Sequence, residues 1–324
     1  MAKSNLSKKA LINNLLVCIL YHNIKIDLLR LLEKLKNSKI KILIVVDGKL
    51  IIKNKKKIQE MFVNIKFLYV KKNTTISYKR NTGLKYAGYK SEIILFLDSD
   101  IIPSSNLIKS HIKYHKIYKK IPILGGAVIP SFYNNRFNFF EFLDGILSWF
   151  TSIKSNSNKI IEPPYHLPTC NMSIKIELAK KYKILFDNNL VTGEDVDFCN
   201  QFRKFNNKIM YIKNSEVYHD DRKFIIPFIK HHWQWGRHQY YTLYEKKFSH
   251  KLGKFSFFLL FSIFYPFLFP MINFISTILV ITPWINLKKR YFFILIPVYI
   301  VHLLKGIATY YEFIKKIINN YLFK

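Results

Sequence analysis

The chain has 324 residues, half of them hydrophobic and 16% aromatic, with 52 basic against 20 acidic side chains and a formal charge of +32. That content of apolar residues excludes wholesale disorder and is enough for one large domain or two. Forty-five of the 52 basic residues are lysine, whereas base-reading proteins favour the planar fork of arginine, so the charge suits anionic lipid head groups or anionic substrates rather than nucleic acid.

Taken in chain order, apolar strand-like runs at Leu15–Leu20, Ile42–Val46, Ile65–Val70 and Ile93–Leu97 alternate with helix-compatible segments near Ile26–Lys36, Leu50–Phe62 and Ser77–Tyr89. Leu28, Leu31, Leu32 and Leu35 recur at helical spacing and give the first helix one apolar stripe. The first run follows a few lysines and imitates a signal peptide, but it ends in Tyr21-His22-Asn23 with no small-residue cleavage site and reads as a strand. The runs are continuously apolar, which suits a parallel sheet covered on both faces. A nucleotide-binding half-domain is the expectation. The middle of the chain, about 121 to 222, is less regular, with Gly125-Gly126, prolines at 163, 164 and 168, and a helix starting near Thr192. Cysteines 18, 170 and 199 form no CxxC pair and read as reduced, buried thiols of a cytosolic protein.

A basic, aromatic stretch, His231 to Tyr241, precedes 33 residues without a charge, Phe255 to Leu287. That run exceeds the roughly 20 residues that cross a bilayer core. A second apolar stretch, Tyr291 to Ile314, is broken by Lys305 and Glu312, and the loop between the two is Lys288-Lys289-Arg290. Two spans returning the chain to the cytosol are the preferred topology, and the positive loop argues against placing it outside. Helices lying within the inner leaflet are the alternative.

Chemistry concentrates at acidic pairs. Asp98-Ser99-Asp100 follows a buried strand at the sheet edge where open α/β folds bind ligands. Two carboxylates on such a turn can face one divalent cation, which in turn holds a diphosphate; the plainer use of the same residues is a helix cap. Asp47-Gly48 after the second strand is either an acceptor for a base or ribose or an ordinary turn. Lys79-Arg80-Asn81 and Gly83 precede the Asp98 strand, with Arg80 able to bridge phosphate oxygens and Gly83 allowing close helix–sheet packing. Glu194-Asp195 opens an amphipathic helix carrying Phe198, Phe202 and Phe205. Thr192 and Asp195 fit a capping box, and a carboxylate there also suits a general base. His219 ends a strand-like run, where a neutral imidazole can ligate manganese or simply pack.

In order, these segments resemble the family 2 glycosyltransferases, inverting enzymes of the GT-A fold. The resemblance rests on Asn23, Asp47, Arg80-Asn81-Thr82-Gly83, Asp98-Ser99-Asp100, Gly125-Gly126 as a Gly-Gly turn, Cys170-Asn171-Met172-Ser173 and Gly193-Glu194-Asp195, over roughly residues 14 to 220. It implies an α/β GT-A catalytic domain with a C-terminal membrane-associated helical region. Residues 1–120 would be the nucleotide-sugar half, 121–222 the acceptor and catalytic half, 223–254 an amphipathic interface segment and 255–324 membrane-embedded helices. Tyr21, Asp47, Arg80, Asp98 and Ser99 would contact the nucleotide-sugar donor. Asp98, Asp100 and His219 would hold Mn²⁺ or Mg²⁺, and Asp195 would be the base with Glu194 supporting it or sharing the role.

The implied activity is non-processive transfer of a sugar from a nucleoside-diphosphate donor to a glycan or lipid-linked acceptor at the cytoplasmic face of the cell membrane. Leu20-Tyr21-His22-Asn23 and Asp47-Gly48-Lys49 depart from the family's usual segments, so base and sugar preference stay open. The family's processive synthases carry Gln-x-x-Arg-Trp, where this chain has Trp235-Gly236-Arg237. A nucleotidyltransferase on the same fold and a non-catalytic basic membrane- or nucleic-acid-binding module are the alternatives.

Overall fold

The computed structural model describes residues 14–22, 28–36, 40–49, 55–130, 137–163, 165–245 and 254–321. Asn23 and Pro164, and the starts of the first two expected helices, lie outside them. By compactness the described chain forms two units: one holds residues up to Ile129 with Thr151–Asn189 and Glu194–Asp220, the other holds residues up to Phe150 from the segment after it, Leu190–Gly193, and Asp221 onward.

The first unit is a single sheet with helices. Its strands are β1 (Leu15–Tyr21), β2 (Lys41–Asp47), β3 (Ile65–Val70), β4 (Ile93–Asp98), β5 (Ile101–Pro103), β6 (Ile123–Pro130), β7 (Lys159–Ile160), β8 (Met172–Lys175) and β9 (Ile209–His219). Its helices are α1 (Leu28–Leu35), α2 (Lys55–Met61), α3 (Ile76–Ala87) and α4 (Leu107–Ile117). In the second unit α5 covers Phe139–Trp149; α6 (Ile176–Lys181) and α7 (Glu194–Arg203) return to the first.

Strand order is β3-β2-β1-β4-β8-β6-β9-β5, with β7 on β9. β1, β2, β3 and β4 pair in parallel, while β8 runs antiparallel to both β4 and β6. The register places Leu20 opposite Asp98, Tyr21 opposite Val46 and Asp47 opposite Val70. Tyr21, Asp47 and Asp98 therefore end neighbouring strands at one carboxyl edge. β1 is buried at all seven positions, as expected of a strand covered on both faces, and Leu28, Leu31, Leu32 and Leu35 are the buried stripe of α1. Cys18, Cys170 and Cys199 are free and buried.

Two glycines fix close approaches. A Cβ on Gly83 of α3 would stand 2.6 Å from Cys18 Sγ, so this residue lets the helix settle on β1. Gly125-Gly126, expected as a turn, lies within β6. A Cβ on Gly126 would collide with the Ser215 carbonyl oxygen of the adjacent β9. Because backbone cannot yield as a side chain does, Gly126→Ala is expected to cost about 3 kcal/mol or more. Loss of soluble expression, or a large fall in the urea midpoint, is the check.

Behind the site edge, α4 is tied to the antiparallel strands by buried polar groups. His111 Nδ1 is 2.7 Å from Ser173 Oγ, and its Nε2 is 3.0 Å from Asn171 Oδ1 and 2.8 Å from Ser215 Oγ. Asn171 Nδ2 donates to the carbonyls of Ala127 and Ser215. Burial lowers the His111 pKa from 6.5 to about 4, against the opposing effect of its hydrogen bond to Asn171 Oδ1. The unfolded chain then binds a proton that the fold refuses. This contribution to stability is present in full above pH 6.5 and is lost as pH falls toward 4. Linkage gives a loss of about 2 kcal/mol between pH 7 and pH 5. His115, also lowered by burial, adds in the same direction. Urea unfolding at the two pH values tests this, and equal midpoints would contradict it.

The second unit adds α8 (Ile225–Gln239), a π-helical turn (Tyr240–Glu245), α9 (Lys254–Leu287), a 3₁₀ turn (Lys289–Ile294) and α10 (Leu295–Tyr321). Leu260–Leu287 and Lys289–Asn319 are long and apolar enough to cross a membrane. Pro266, Pro270 and Pro283 lie inside α9. Asp144 of α5 is fully buried, with Arg222 Nη1 at 3.0 Å and His232 Nε2 of α8 at 3.1 Å.

Candidate active site

The site grows from the carboxyl edge of the parallel strands. Asp98 closes β4, Ser99 and Asp100 form the turn into β5, and β5 pairs with the end of β9 so that Ile101 lies opposite His219. That pairing carries His219 to the acids from more than a hundred residues away in sequence. Asp98, Asp100 and His219 each offer a ligand atom, and these atoms lie within 4.8 Å of one another. His219 Nε2 is 3.6 Å from Asp100 Oδ1. That carboxylate oxygen is buried with no hydrogen-bond partner among the described residues, as is Ser99 Oγ. An oxygen desolvated without a partner is costly, and a cation would satisfy it. Two carboxylates and an imidazole are a donor set that manganese and magnesium accept. The residues fit the metal.

The motif on α3 takes up a role its sequence did not disclose. Lys79 Nζ lies 2.6 Å from Asp47 Oδ2. Arg80, 2% exposed, pairs with Glu194 of α7 and lies 3.8 Å from Asp98 Oδ1. Its guanidinium packs over Phe186, 5.7 Å to the ring centroid, and Phe186 stacks on Phe198 of α7 at 4.0 Å. Asn81 donates to the Phe186 carbonyl and accepts from its amide. One turn of helix thereby joins the Asp47 edge, the Asp98 turn and the Glu194 helix.

Electrostatics follow from this crowding. Burial raises the Glu194 pKa to about 7 despite the pull of Arg80, and Asp195 adds to the rise. Asp98 is also raised, by burial first and by Asp100, with Arg80 opposing. Arg80, whose burial works against it, is nevertheless raised by Glu194, Asp98 and Asp195. Asp98, Glu194 and Asp195 thus repel one another around the buried guanidinium of Arg80.

Asp195 Oδ1 accepts from the Val196 amide at 2.8 Å, and Oδ2 lies 3.6 Å from His166 Nε2. Its carboxylate is thus anchored at one oxygen and faces an imidazole at the other. His166 escaped the sequence reading because it sits in an irregular proline-rich segment. Of the residues expected to contact donor, Asp47 and Asp98 end β2 and β4 at the same carboxyl edge, with β1 between them. Tyr21 is buried at the end of β1, Ser99 is buried in the turn between Asp98 and Asp100, and Arg80 lies between the carboxylates of Asp98 and Glu194. Phe198 and Phe202 are core, whereas Phe205 is half exposed. His231 and Trp235 lie on α8 in the other unit.

The family model described as Glycosyl transferase family 2 matches residues 16–176, from β1 through β8. The chain belongs to the family 2 glycosyltransferases. Its mixed sheet with the Asp98-Ser99-Asp100 turn at the edge is the α/β GT-A arrangement expected of the family. Among curated proteins, the teichoic acid poly(glycerol phosphate) polymerase of Staphylococcus epidermidis is 25% identical over 214 residues, covering 64% of this chain and 28% of the polymerase. The glycosyltransferase YfnE of Bacillus subtilis is 36% identical over 73 residues, 22% of this chain and 18% of YfnE. The chain thus spans under a third of the length of either relative. Among solved structures, S. aureus TarS 1–349 in complex with UDP-GlcNAc aligns at 14% identity and a TM-score of 0.48, covering 90% of both chains. TarS 1–349 with UDP aligns at 15% identity and 0.49, covering 91% of this chain and 89% of that one.

Proposed function

We propose that this glycosyltransferase is metal-dependent and inverting, and that it moves one sugar at a time from a nucleoside-diphosphate donor to a glycan or lipid-linked acceptor at the cytoplasmic face of the cell membrane. The observation that carries the reading is convergence within one unit. Asp98, Asp100 and His219 meet from β4, the following turn and β9, and Arg80 links that cluster to Glu194-Asp195. Asp98, Asp100 and His219 would hold Mn²⁺ or Mg²⁺. When bound, the cation neutralises charge developing on the departing nucleoside diphosphate. Asp47, at the end of β2 with β1 between it and Asp98, would accept a hydrogen bond from the nucleotide, with Tyr21 and Ser99 shaping the floor of that edge.

Asp195 would take the proton from the acceptor hydroxyl as that oxygen attacks the anomeric carbon, with His166 orienting the carboxylate. Glu194, buried against Arg80, would support rather than share the role. The name of the S. epidermidis relative supports a cell-envelope polymer as acceptor. The two long apolar helices and the lysine-rich charge support attachment to an anionic membrane.

The test is release of nucleoside diphosphate by purified full-length protein across a panel of nucleoside-diphosphate sugars. Chelation should abolish release and Mn²⁺ or Mg²⁺ restore it. Asp100→Ala should need at least about tenfold more cation, because one of three ligands is gone. Release unaffected by chelation removes the metal assignment, and release of pyrophosphate marks nucleotidyl transfer instead.

A further inference from the structure

The second unit sorts its surface by direction. On α9 the exposed residues between 260 and 279 are Leu260, Ile263, Phe264, Phe267, Leu268, Met271, Phe274, Ile275, Ile278 and Leu279. Their spacing of three and four places them on one face, and not one is polar. Only 22% of this helix's most apolar window is buried, so it is no core helix. An exposed apolar stripe of this length exceeds what a soluble monomer leaves to water.

α10 has three faces. Lys305, Ala308, Thr309 and Glu312 meet α8: Gly236 packs against Lys305 and Ala308, Thr309 Oγ1 donates to the Gly236 carbonyl, and Arg237 pairs with Glu312. Tyr299, His302, Gly306 and Tyr310 meet α9, through Pro270, Thr277 and Tyr265. Ile296, Ile300 and Ile307 are exposed, and Tyr311, at the α8 border of that stripe, lies 5.7 Å from the Trp233 ring of α8. At about 100° per residue these sets form separate stripes, with the isoleucine stripe turned away from α8. The apolar outer faces of α9 and α10 thus lie opposite α8, whose exposed side carries Lys230 and Gln234 after Ile229. At the turn end the apolar surface widens to Phe292 and Phe293, with Phe224 and Ile226 at the start of α8.

A bundle that crosses a bilayer is apolar all round at mid-depth. This one is not. α10 has 27 residues, and its middle lies beside Gly236, where Lys305 Nζ is 4.7 Å from the Trp235 ring centroid. Crossing would set Lys230, Gln234 and the partly exposed Arg237 against hydrocarbon, at about 2.5–3.5 kcal/mol for each cation at the centre.

We propose that α8, α9 and α10 attach to a single leaflet of an anionic membrane without crossing it. In this arrangement α9 and the outer face of α10 lie along the hydrocarbon, and the carboxyl-terminal half of α8 faces water. Asymmetry across the helices, rather than along them, is the mark of an in-plane element. The exposed Lys288, Lys289 and Arg290 at the turn then meet phosphate head groups. The inference rests on the membrane attachment in the function proposed above, and it replaces the preferred two-span topology.

Full-length variants with one added cysteine test it, with the parent chain and its three buried native thiols as the control. In intact spheroplasts, Arg290→Cys should resist a membrane-impermeant maleimide and label after lysis. On vesicles of neutral and anionic phospholipid, a bimane at Met271→Cys should be quenched by doxyl-lipid and one at Gln234→Cys by iodide. Labelling of Arg290→Cys from outside, or lipid quenching at Gln234→Cys, overturns the single-leaflet arrangement while leaving attachment intact. A chain that stays soluble after lysis and does not bind the vesicles overturns attachment itself, and this proposal with it.

Discussion

Replacing Asp195 by asparagine is expected to lower kcat by about 10³-fold, within the range that a positioned general base supplies. The substitution is nearly isosteric, and the amide oxygen can still accept from the Val196 amide that now holds Oδ1. What disappears is the capacity to take up a proton from an attacking hydroxyl. KM for the donor and the cation requirement should therefore stay unchanged, because Asp98, Asp100 and His219, the proposed cation ligands, are untouched. The thermal midpoint should move little. Steady-state kinetics with a saturating acceptor, beside a cation titration, check the assignment. A variant that keeps near-normal kcat removes Asp195 as the base. A loss confined to KM would place it in acceptor binding instead.

The pattern of the first hundred residues made the parallel half of the sheet legible, because β1 and β2 are continuous apolar runs and α1 shows a clean helical stripe. That Asp98 and Asp100 lie together needs no tertiary contact, since they share one turn. His219 could be named as a candidate from its own residue type, but its place beside them could not be read locally, since only the antiparallel pairing of β5 with β9 brings it there. Gly125-Gly126 was misread as a turn. Two consecutive glycines carry the same local signal whether the chain bends or a neighbouring backbone comes close, and here Ser215 decides. His166 and the Asp144–His232–Arg222 cluster gave no signal, as their partners lie far apart in sequence. The uncharged run of α9 announced itself, but its one-sided exposure depends on how α8 packs on α10.

Arg80 is the residue whose meaning changes most between sequence and structure, and Arg80→Met is expected to be the most destabilising single change in the site. Breaking a buried ion pair from one side costs about 3–5 kcal/mol, because the remaining charge loses its partner without regaining water. Glu194 would be that charge, at 6% exposure. Asp98 would lose its cationic neighbour at 3.8 Å, and the ring of Phe186 would lose the guanidinium packed on it. Arg80→Lys should recover little of this, since an ammonium cannot fork between two carboxylates or stack as a plane. The double variant Arg80→Met/Glu194→Gln separates stability from function. Neutralising Glu194 should return at least half of the lost unfolding free energy, while activity stays low because Asp98 and Glu194 no longer share a cation that fixes their spacing. Urea unfolding of both variants, with nucleoside-diphosphate release measured on the same preparations, gives the comparison. Full activity in the double variant would show that Arg80 serves folding alone. Activity that stays low once stability is regained would make it the positioning residue between the metal turn and the base helix.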